Sequence, residues 1–157
     1  GGKEAKDYPL HLLSHQPPHK LHSQLDFAGP SRGEKVDGRE IAVLSSSEAP
    51  KRGIATGDVV RLFNGRGEPL ASARISDDVR EGVILLPTGA WFDPTSLDGE
   101  VGKEKHGNPN VLTLDKGTSR LGQGPIAHTT LVEVEKFEGT PPEVTAFVVP
   151  EIVPLKA

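Results

Sequence analysis

A glycine or proline interrupts this 157-residue chain at about one position in five, with 18 glycines and 14 prolines. Average usage of the two together is roughly 12%. Punctuation that dense points away from long helices and toward many turns around a modest core, since only 34% of residues are apolar and 4% aromatic. A β-rich architecture fits that pattern best, and the length suits one domain. The same numbers exclude several functions. A net charge of −4 argues against a nucleic-acid or anionic-membrane binder, whose affinity rests on excess cations. With no cysteine there is no disulfide, thiolate nucleophile or Cys-based metal site. No apolar run approaches the ~20 residues a membrane-spanning helix needs, and no basic-then-apolar signal pattern opens the chain.

Residues 1–7 are polar and glycine-led and read as a linker or remnant. Residues 8–13 (YPLHLL) read as a strand with its proline near the start, where a missing ladder donor does least harm. A polar stretch without a clean period, residues 14–33, follows. A loop of that length inside a compact domain is usually functional or disordered. Residues 40–44 (EIAVL) form the next candidate strand. Ser45 and Glu48 then match a capping box, with Lys51 and Arg52 suited to a helix C-terminus and Gly53 to a left-handed stop, so a short helix is expected over 46–52. Residues 59–63 (VVRLF) and 70–75 (LASARI) flank Asn64-Gly65, the signature of a type I′ hairpin turn. Residues 77–81 read as a helical turn. Residues 83–87 (VILLP) are apolar on both faces and belong in the centre of the sheet. A second irregular region, 88–125, is broken only by 111–114 (VLTL). Residues 126–137 alternate as a long strand with one wet face. Beyond Gly139 a Pro-rich apolar tail, 140–157, reads as an extended segment laid on a surface. The count is six or seven strands with one or two short helices and no internal repeat.

Few residues suggest chemistry of their own. His11, His15, His19 and His22 would line one face of a helix and ligate zinc there, but Pro17 and Pro18 forbid that helix. Loop histidines that hydrogen-bond a ligand, or plain surface residues, are the preferred reading. The segment around Ser119 resembles a nucleophile elbow only superficially, because leucine stands at 121 where glycine is required. The glycine pairs at 65 and 67 and at 122 and 124 complete no dinucleotide fingerprint. Trp91, the sole tryptophan, sits in a Gly/Pro-framed loop either as a ligand wall or as a plug over the core, with the plug preferred. The irregular regions otherwise offer neutral hydrogen-bonding groups: Ser14, His15, Gln16, His22, Ser23 and Gln24 in the first, Asn108, Asn110, Thr113, Ser119 and Gln123 in the second. Interleaved glycines let a backbone come close to a ligand. Such groups suit a polar heteroaromatic ligand with phosphates, or they simply solvate loops; composition leaves both open.

Several motifs in fixed order carry a resemblance. They are residues 12–17 (LLSHQP), 21–25 (LHSQL), 52–54 (RGI), 57–60 (GDVV), Asn64 with Arg66-Gly67, 89–94 (GAWFDP) and 106–113 (HGNPNVLT), with Asp115, Ser119 and Gln123-Gly124 after them. From Tyr8 to Gly139 the chain resembles the C-terminal domain of molybdopterin oxidoreductases of the dimethyl sulfoxide reductase family, nearest the branch of trimethylamine N-oxide, dimethyl sulfoxide and biotin sulfoxide reductases.

The resemblance implies a mainly β, six-stranded double-psi β-barrel spanning 8–139. It implies a larger enzyme that moves an oxygen atom between an S-oxide or N-oxide and molybdenum, or tungsten, held by bis(molybdopterin guanine dinucleotide). Carried over, Ser14, His15 and Gln16 lie near the dinucleotide phosphates or guanine. His22, Ser23 and Gln24 contact a pterin or its phosphate, Asn110 bonds a pterin edge, and Gln123 stands near the same group. Trp91 shapes the substrate approach or packs beside it. No catalytic residue or metal ligand is expected here, and the fragment alone is expected to be inactive, without bound cofactor. The partners implied are the cofactor and the remaining domains of the enzyme, with no nucleic acid and no membrane insertion. Residues 147–155 are expected to dock on a sister domain. Family members occur in the bacterial periplasm and in the cytoplasm. The rival reading is a stand-alone barrel acting as an accessory, partner-binding subunit.

Overall fold

The computed structural model describes residues 3–96, 102–149 and 151–153. Seven strands order as β1 (Leu10–Leu13), β2 (Ile41–Ser45), β3 (Val59–Phe63), β4 (Glu68–Ser76), β5 (Val83–Leu85), β6 (Lys103–Glu104) and β7 (Leu131–Lys136). Six of them close a ring, β2-β5-β1-β7-β3-β4, sealed by a parallel pairing of β4 back onto β2 from Ile41↔Ser72 to Ser45↔Ser76. A second parallel pair joins β1 to β5, and the remaining contacts around the ring are antiparallel. The two-residue β6 adds to the start of β4 outside the ring.

Successive side chains on a strand point to opposite faces, so alternate residues of a closed sheet meet inside. Leu10 and Leu12, Ala42 and Leu44, Val60 and Leu62, Ala71 and Ala73, and Val132 and Val134 are such pairs, and all are buried in one core with Ile84 and Leu86. The alternation read from the sequence is thus the inside of the barrel. Burying each of the leucines contributes about 1.5–3 kcal/mol. As its two apolar faces imply, β5 lies between β2 and β1.

Several local expectations are corrected. The helix expected over 46–52 is a turn followed by a single 3-10 turn at Pro50–Arg52. Ser45 Oγ does accept the Glu48 N–H at 3.3 Å, and Gly53 takes the left-handed stop at φ +62°. The Glu48 carboxylate, however, turns to Lys51 and Arg52 instead of completing the box. The hairpin between β3 and β4 exists, but its bend centres on Gly65 and Arg66, and neither Asn64 nor Gly65 has the positive φ of a type I′ turn. Asn64 instead braces the bend: its Oδ1 accepts the Arg66 N–H at 2.9 Å, and its Nδ2 donates to the carbonyls of Leu112 (2.9 Å) and Leu131 (3.1 Å).

Residues 77–81 form turns and a bend without a helical turn. VLTL is no strand: a 3-10 turn, Pro109–Val111, runs into a turn and bend. The long last strand begins only at Leu131, after another 3-10 turn at Ala127–Thr129. Two short helices, α1 (Glu4–Asp7) and α2 (Gly29–Glu34), lie where a linker and an irregular loop were expected.

Replacing Asn64 by alanine removes all three bracing bonds and leaves two carbonyls short of a donor. The expected loss is about 1–3 kcal/mol, read as a lower urea midpoint at unchanged slope.

Candidate functional site: a polar cleft at the barrel end

The parallel pair β1 and β5 continues past its last sheet residues. Leu86 N–H donates to the Leu13 carbonyl at 3.1 Å and Thr88 N–H to the His15 carbonyl at 3.0 Å. The two irregular regions therefore leave the barrel side by side. Two turns further on they touch. His22 sits in a turn closed by Gln24 N–H on the Leu21 carbonyl, with φ +51°, a conformation that costs a non-glycine residue about 1–3 kcal/mol and tends to occur at functional sites. Its carbonyl meets Gly89 so closely that a Cβ there would stand 1.7 Å from the oxygen. Gly89 also has φ +93°, so only glycine satisfies both demands.

Trp91 locks the contact. Its indole Nε1 donates to the Ser23 carbonyl at 2.9 Å and its backbone N–H to Asp26 Oδ2 at 2.9 Å. Asp26, fully buried, also receives Lys20 Nζ at 2.7 Å and Lys35 Nζ at 3.0 Å, and both ammonium groups bind Glu40 as well. Burial alone would raise the Asp26 pKa, but the bonds from Lys20, Trp91 N–H and Lys35 outweigh it and hold it below the usual carboxylate range. For Lys20, burial works downward and the bonds to Asp26 and Glu40 prevail, so its pKa is raised. Both shifts mark charges kept in place.

A third segment completes the wall. The buried Glu104 carboxylate accepts four backbone N–H groups, from Asp93 (3.3 Å) and His106 (2.8 Å) on one oxygen and Gly107 and Asn108 (2.8 Å each) on the other. Burial pushes its pKa up to about 7 against the pull of those four donors. The clasp presents Asn108, whose Nδ2 donates to the Ala90 carbonyl at 2.9 Å and whose Oδ1 accepts Asn110 N–H. The fully buried His106 donates from Nδ1 to the Trp91 carbonyl at 2.8 Å, and burial holds it neutral, below the usual imidazole range.

The result is a cleft of about 540 Å³ lined by His22, Ser23, Thr88, Gly89, Ala90, Trp91, Phe92, Asn108 and Asn110. Among the described residues that line it there is no carboxylate and no ammonium group. Of the residues singled out in the sequence, His22, Ser23, Asn108, Asn110 and Trp91 meet here. Trp91 borders the cleft and stacks on Phe27, and at 41% exposure it lies outside the barrel core. Ser14 lies buried at the end of β1 with no hydrogen-bond partner for its Oγ. His15 lines a separate cleft with Pro17, Pro18 and Arg74, and Gln16 turns its Nε2 to the Lys20 carbonyl. Gln24 is exposed in the turn that carries His22.

Gln123 does not join the cleft. Its Nε2 donates to the Ser119 and Arg120 carbonyls within a loop that closes on itself through Gly117↔Pro125. Thr88 and Gly89 were missing from the expected set, although Gly89 stands inside the motif GAWFDP; Asn108 had been named only as a neutral hydrogen-bonding group of the second region. The four histidines disperse: His11 bonds the His128 carbonyl and His19 pairs with Glu34 at 3.1 Å. Among the described residues no three His, Asp or Glu gather into a metal-binding group.

A closed six-strand ring with two parallel pairs and a loop-built polar cleft at one end defines a double-psi β-barrel binding domain. A family model described as the molydopterin dinucleotide binding domain matches residues 10–131, and the chain belongs to that family. Biotin sulfoxide reductase of Cereibacter sphaeroides is 52% identical over 130 residues, which cover 83% of this chain and 17% of that protein. Trimethylamine-N-oxide reductase 1 of Escherichia coli O157:H7 is 50% identical over 149 residues, 94% of this chain and 18% of that protein. Among solved structures, acetylene hydratase from Pelobacter acetylenicus shares the fold with a TM-score of 0.66 at 19% identity, over 86% of this chain and 19% of that one. The chain spans less than a fifth of the length of the curated relatives it matches.

Two outcomes are expected. Gly89→Ala drives a methyl group into the His22 carbonyl and destabilises the domain by about 2–4 kcal/mol in chemical denaturation. Glu104 gives a pH signature. Its folded pKa of about 7 lies above the ordinary 4.5, so ionisation disfavours the fold and stability falls as pH rises through that window, on the order of 3 kcal/mol in all. Asp26 acts oppositely and lower, since its depressed pKa adds stability that is lost only as pH falls below about 4. Urea midpoints of wild type and Glu104→Gln between pH 4.5 and 7 separate the two, because the variant lacks the Glu104 slope.

Proposed function

We propose that this chain is the cofactor-capping domain of a molybdenum oxidoreductase that reduces an S-oxide or N-oxide, with residues 8–139 forming the binding barrel. The carrying observation is the cleft whose described lining, with His22, Ser23, Thr88, Asn108 and Asn110 beside Trp91 and Gly89, holds no carboxylate or ammonium group. A flat heterocycle with donor and acceptor edges needs that chemistry: neutral groups in fixed positions and an aromatic wall. The unpartnered Ser14 hydroxyl fits the same ligand class as a donor awaiting an acceptor. In this reading His22, Ser23 and Asn110 hold a pterin edge of bis(molybdopterin guanine dinucleotide), with Ser14, His15, Gln16 and Gln24 toward its phosphates or guanine. Gln123 would have to release its own loop to take part.

When bound, the metal of that group, molybdenum or tungsten, supplies the two-electron oxygen-atom transfer. The chain's own residues bind, orient and exclude water. They hold one side of the ligand only, and the remaining domains of a longer polypeptide would supply the other side and the metal ligand. Half a site offers too few contacts to offset the immobilisation of so large a ligand. An enzyme of this kind belongs in the bacterial periplasm or the cytoplasm. The accessory-subunit reading has less support, since the relatives named are large reductases.

Two measurements test this. The 157-residue chain is expected to show no viologen-driven reduction of trimethylamine N-oxide or dimethyl sulfoxide, and turnover would overturn the proposal. A pterin probe, 6-hydroxymethylpterin, titrated against Trp91 emission is expected to bind weakly, at about millimolar Kd. Asn110→Ala should weaken it about three- to tenfold. Equal binding by the variant removes Asn110 from the site.

A further inference from the structure

The tail beyond Gly139 is the one segment that the cleft does not explain. It does not leave the barrel. Asp93, itself buried, accepts Thr145 N–H at 2.6 Å and the Thr145 hydroxyl at 2.7 Å. The buried Arg39 guanidinium donates to the Pro142 carbonyl, and Val144 sits over Gly38. These contacts seat Phe147 behind the cleft. Its ring lies edge-on to Trp91 at 5.4 Å, to Phe27 at 5.5 Å and to His106 at 5.1 Å, while Phe27 stacks on Trp91 at 6.4 Å. Arg32 stands 5.2 Å from the centre of the Phe27 ring and 5.9 Å from that of Phe147, closing the cluster with a cation. Phe147 thus packs on its own barrel while staying partly exposed, and within the tail Val148, Val149, Ile152 and Val153 are the exposed apolar side chains among the described residues.

Phe147 does not line the cleft, yet it touches the back of the ring that does. Trp91 has three polar tethers: its N–H to Asp26 and its carbonyl from His106 hold the backbone, and its indole nitrogen bonds the Ser23 carbonyl. Those bonds fix the edge of the indole that faces the His22 turn. The orientation of the ring plane is left to packing, and Phe27 and Phe147 are the aromatic rings against it. We infer that Phe147 is a positioning residue for the cleft, setting the plane of Trp91 from behind and through it the Ser23 carbonyl. The affinity of the cleft for a flat ligand then depends on a tail residue that never meets the ligand. The part concerning affinity rests on the ligand reading above; the part concerning Trp91 does not.

Because Trp91 is the only tryptophan, its fluorescence reports the position directly. Acrylamide quenching and emission are measured on the full chain for wild type, Phe147→Ala, Phe147→Leu and Phe147→Tyr, with Val149→Ala as an exposed neighbour and circular dichroism as the check on folding. Phe147→Leu keeps an apolar filler should the alanine variant fail to fold. Expected is about a twofold rise in quenching with a red-shifted emission for Ala and Leu, and wild-type values for Tyr and Val149→Ala. The 6-hydroxymethylpterin probe is expected to bind about three- to tenfold more weakly to the folded Ala or Leu variant, the effect of losing one aromatic pair, and normally to Tyr. A folded Leu variant whose Trp91 signal and probe affinity equal wild type overturns the inference. If Trp91 responds while the wild-type chain takes up no probe, the positioning role stands and the ligand reading falls.

Discussion

One buried carboxylate ties the cleft to the barrel. Asp26 lies in the first irregular region, is neutralised by Lys20 and Lys35, and accepts the N–H of Trp91 from the second. A buried charge that loses a partner costs about 3–5 kcal/mol, so the two cations and two anions within residues 20–40 hold the first region, and the second is tied to them through the Trp91 N–H. The close seat of Gly89 on the His22 carbonyl follows from that clamp, since the chain between Gly89 and Trp91 has only Ala90 in which to adjust. Glu104 does for the third segment what Asp26 does for the first two, using backbone donors in place of ammonium groups. The cleft itself stays free of charge because its charges sit one layer behind it.

That separation has a chemical sense. A neutral cleft can meet donor and acceptor edges of a heterocycle without competing for protons, and a network behind it keeps geometry fixed while remaining out of contact. The strained φ of His22 fits the same scheme, because strain persists only where the surroundings over-determine the backbone.

How much of this was legible depended on whether the cause was local. The Asn64-Gly65 bend between the runs 59–63 and 70–75 and the two-sided apolarity of 83–87 are local, and they gave the ring strands with small errors at their ends. The helix over 46–52 failed because a capping residue and basic end were present without an apolar stripe to hold them, and Glu48 found better partners. The two-residue β6 carries no pattern at all; it is a strand only because Glu68 and Pro69 lie beside it. In the site, His22, Ser23, Asn110 and Trp91 stood in ordered motifs and could be named. The roles of Asp26 and Glu104 could not, since their partners lie 6 to 65 positions away or are backbone groups. Gln123 stands apart from the cleft because its Nε2 bonds carbonyls of its own loop, a local fold no periodic pattern announces.

The closure of the ring has a wider consequence. Among the described residues, every strand of the six already has a neighbour on each side, so no sheet margin remains inside the ring for a strand from another part of a protein to extend. Beyond the short β6 addition at the start of β4, whatever such a ring joins is met by loops and side chains. A unit of that kind can be appended to many different hosts without its own hydrogen-bond ladder being rewritten, and the contact can specialise while the barrel stays as it is.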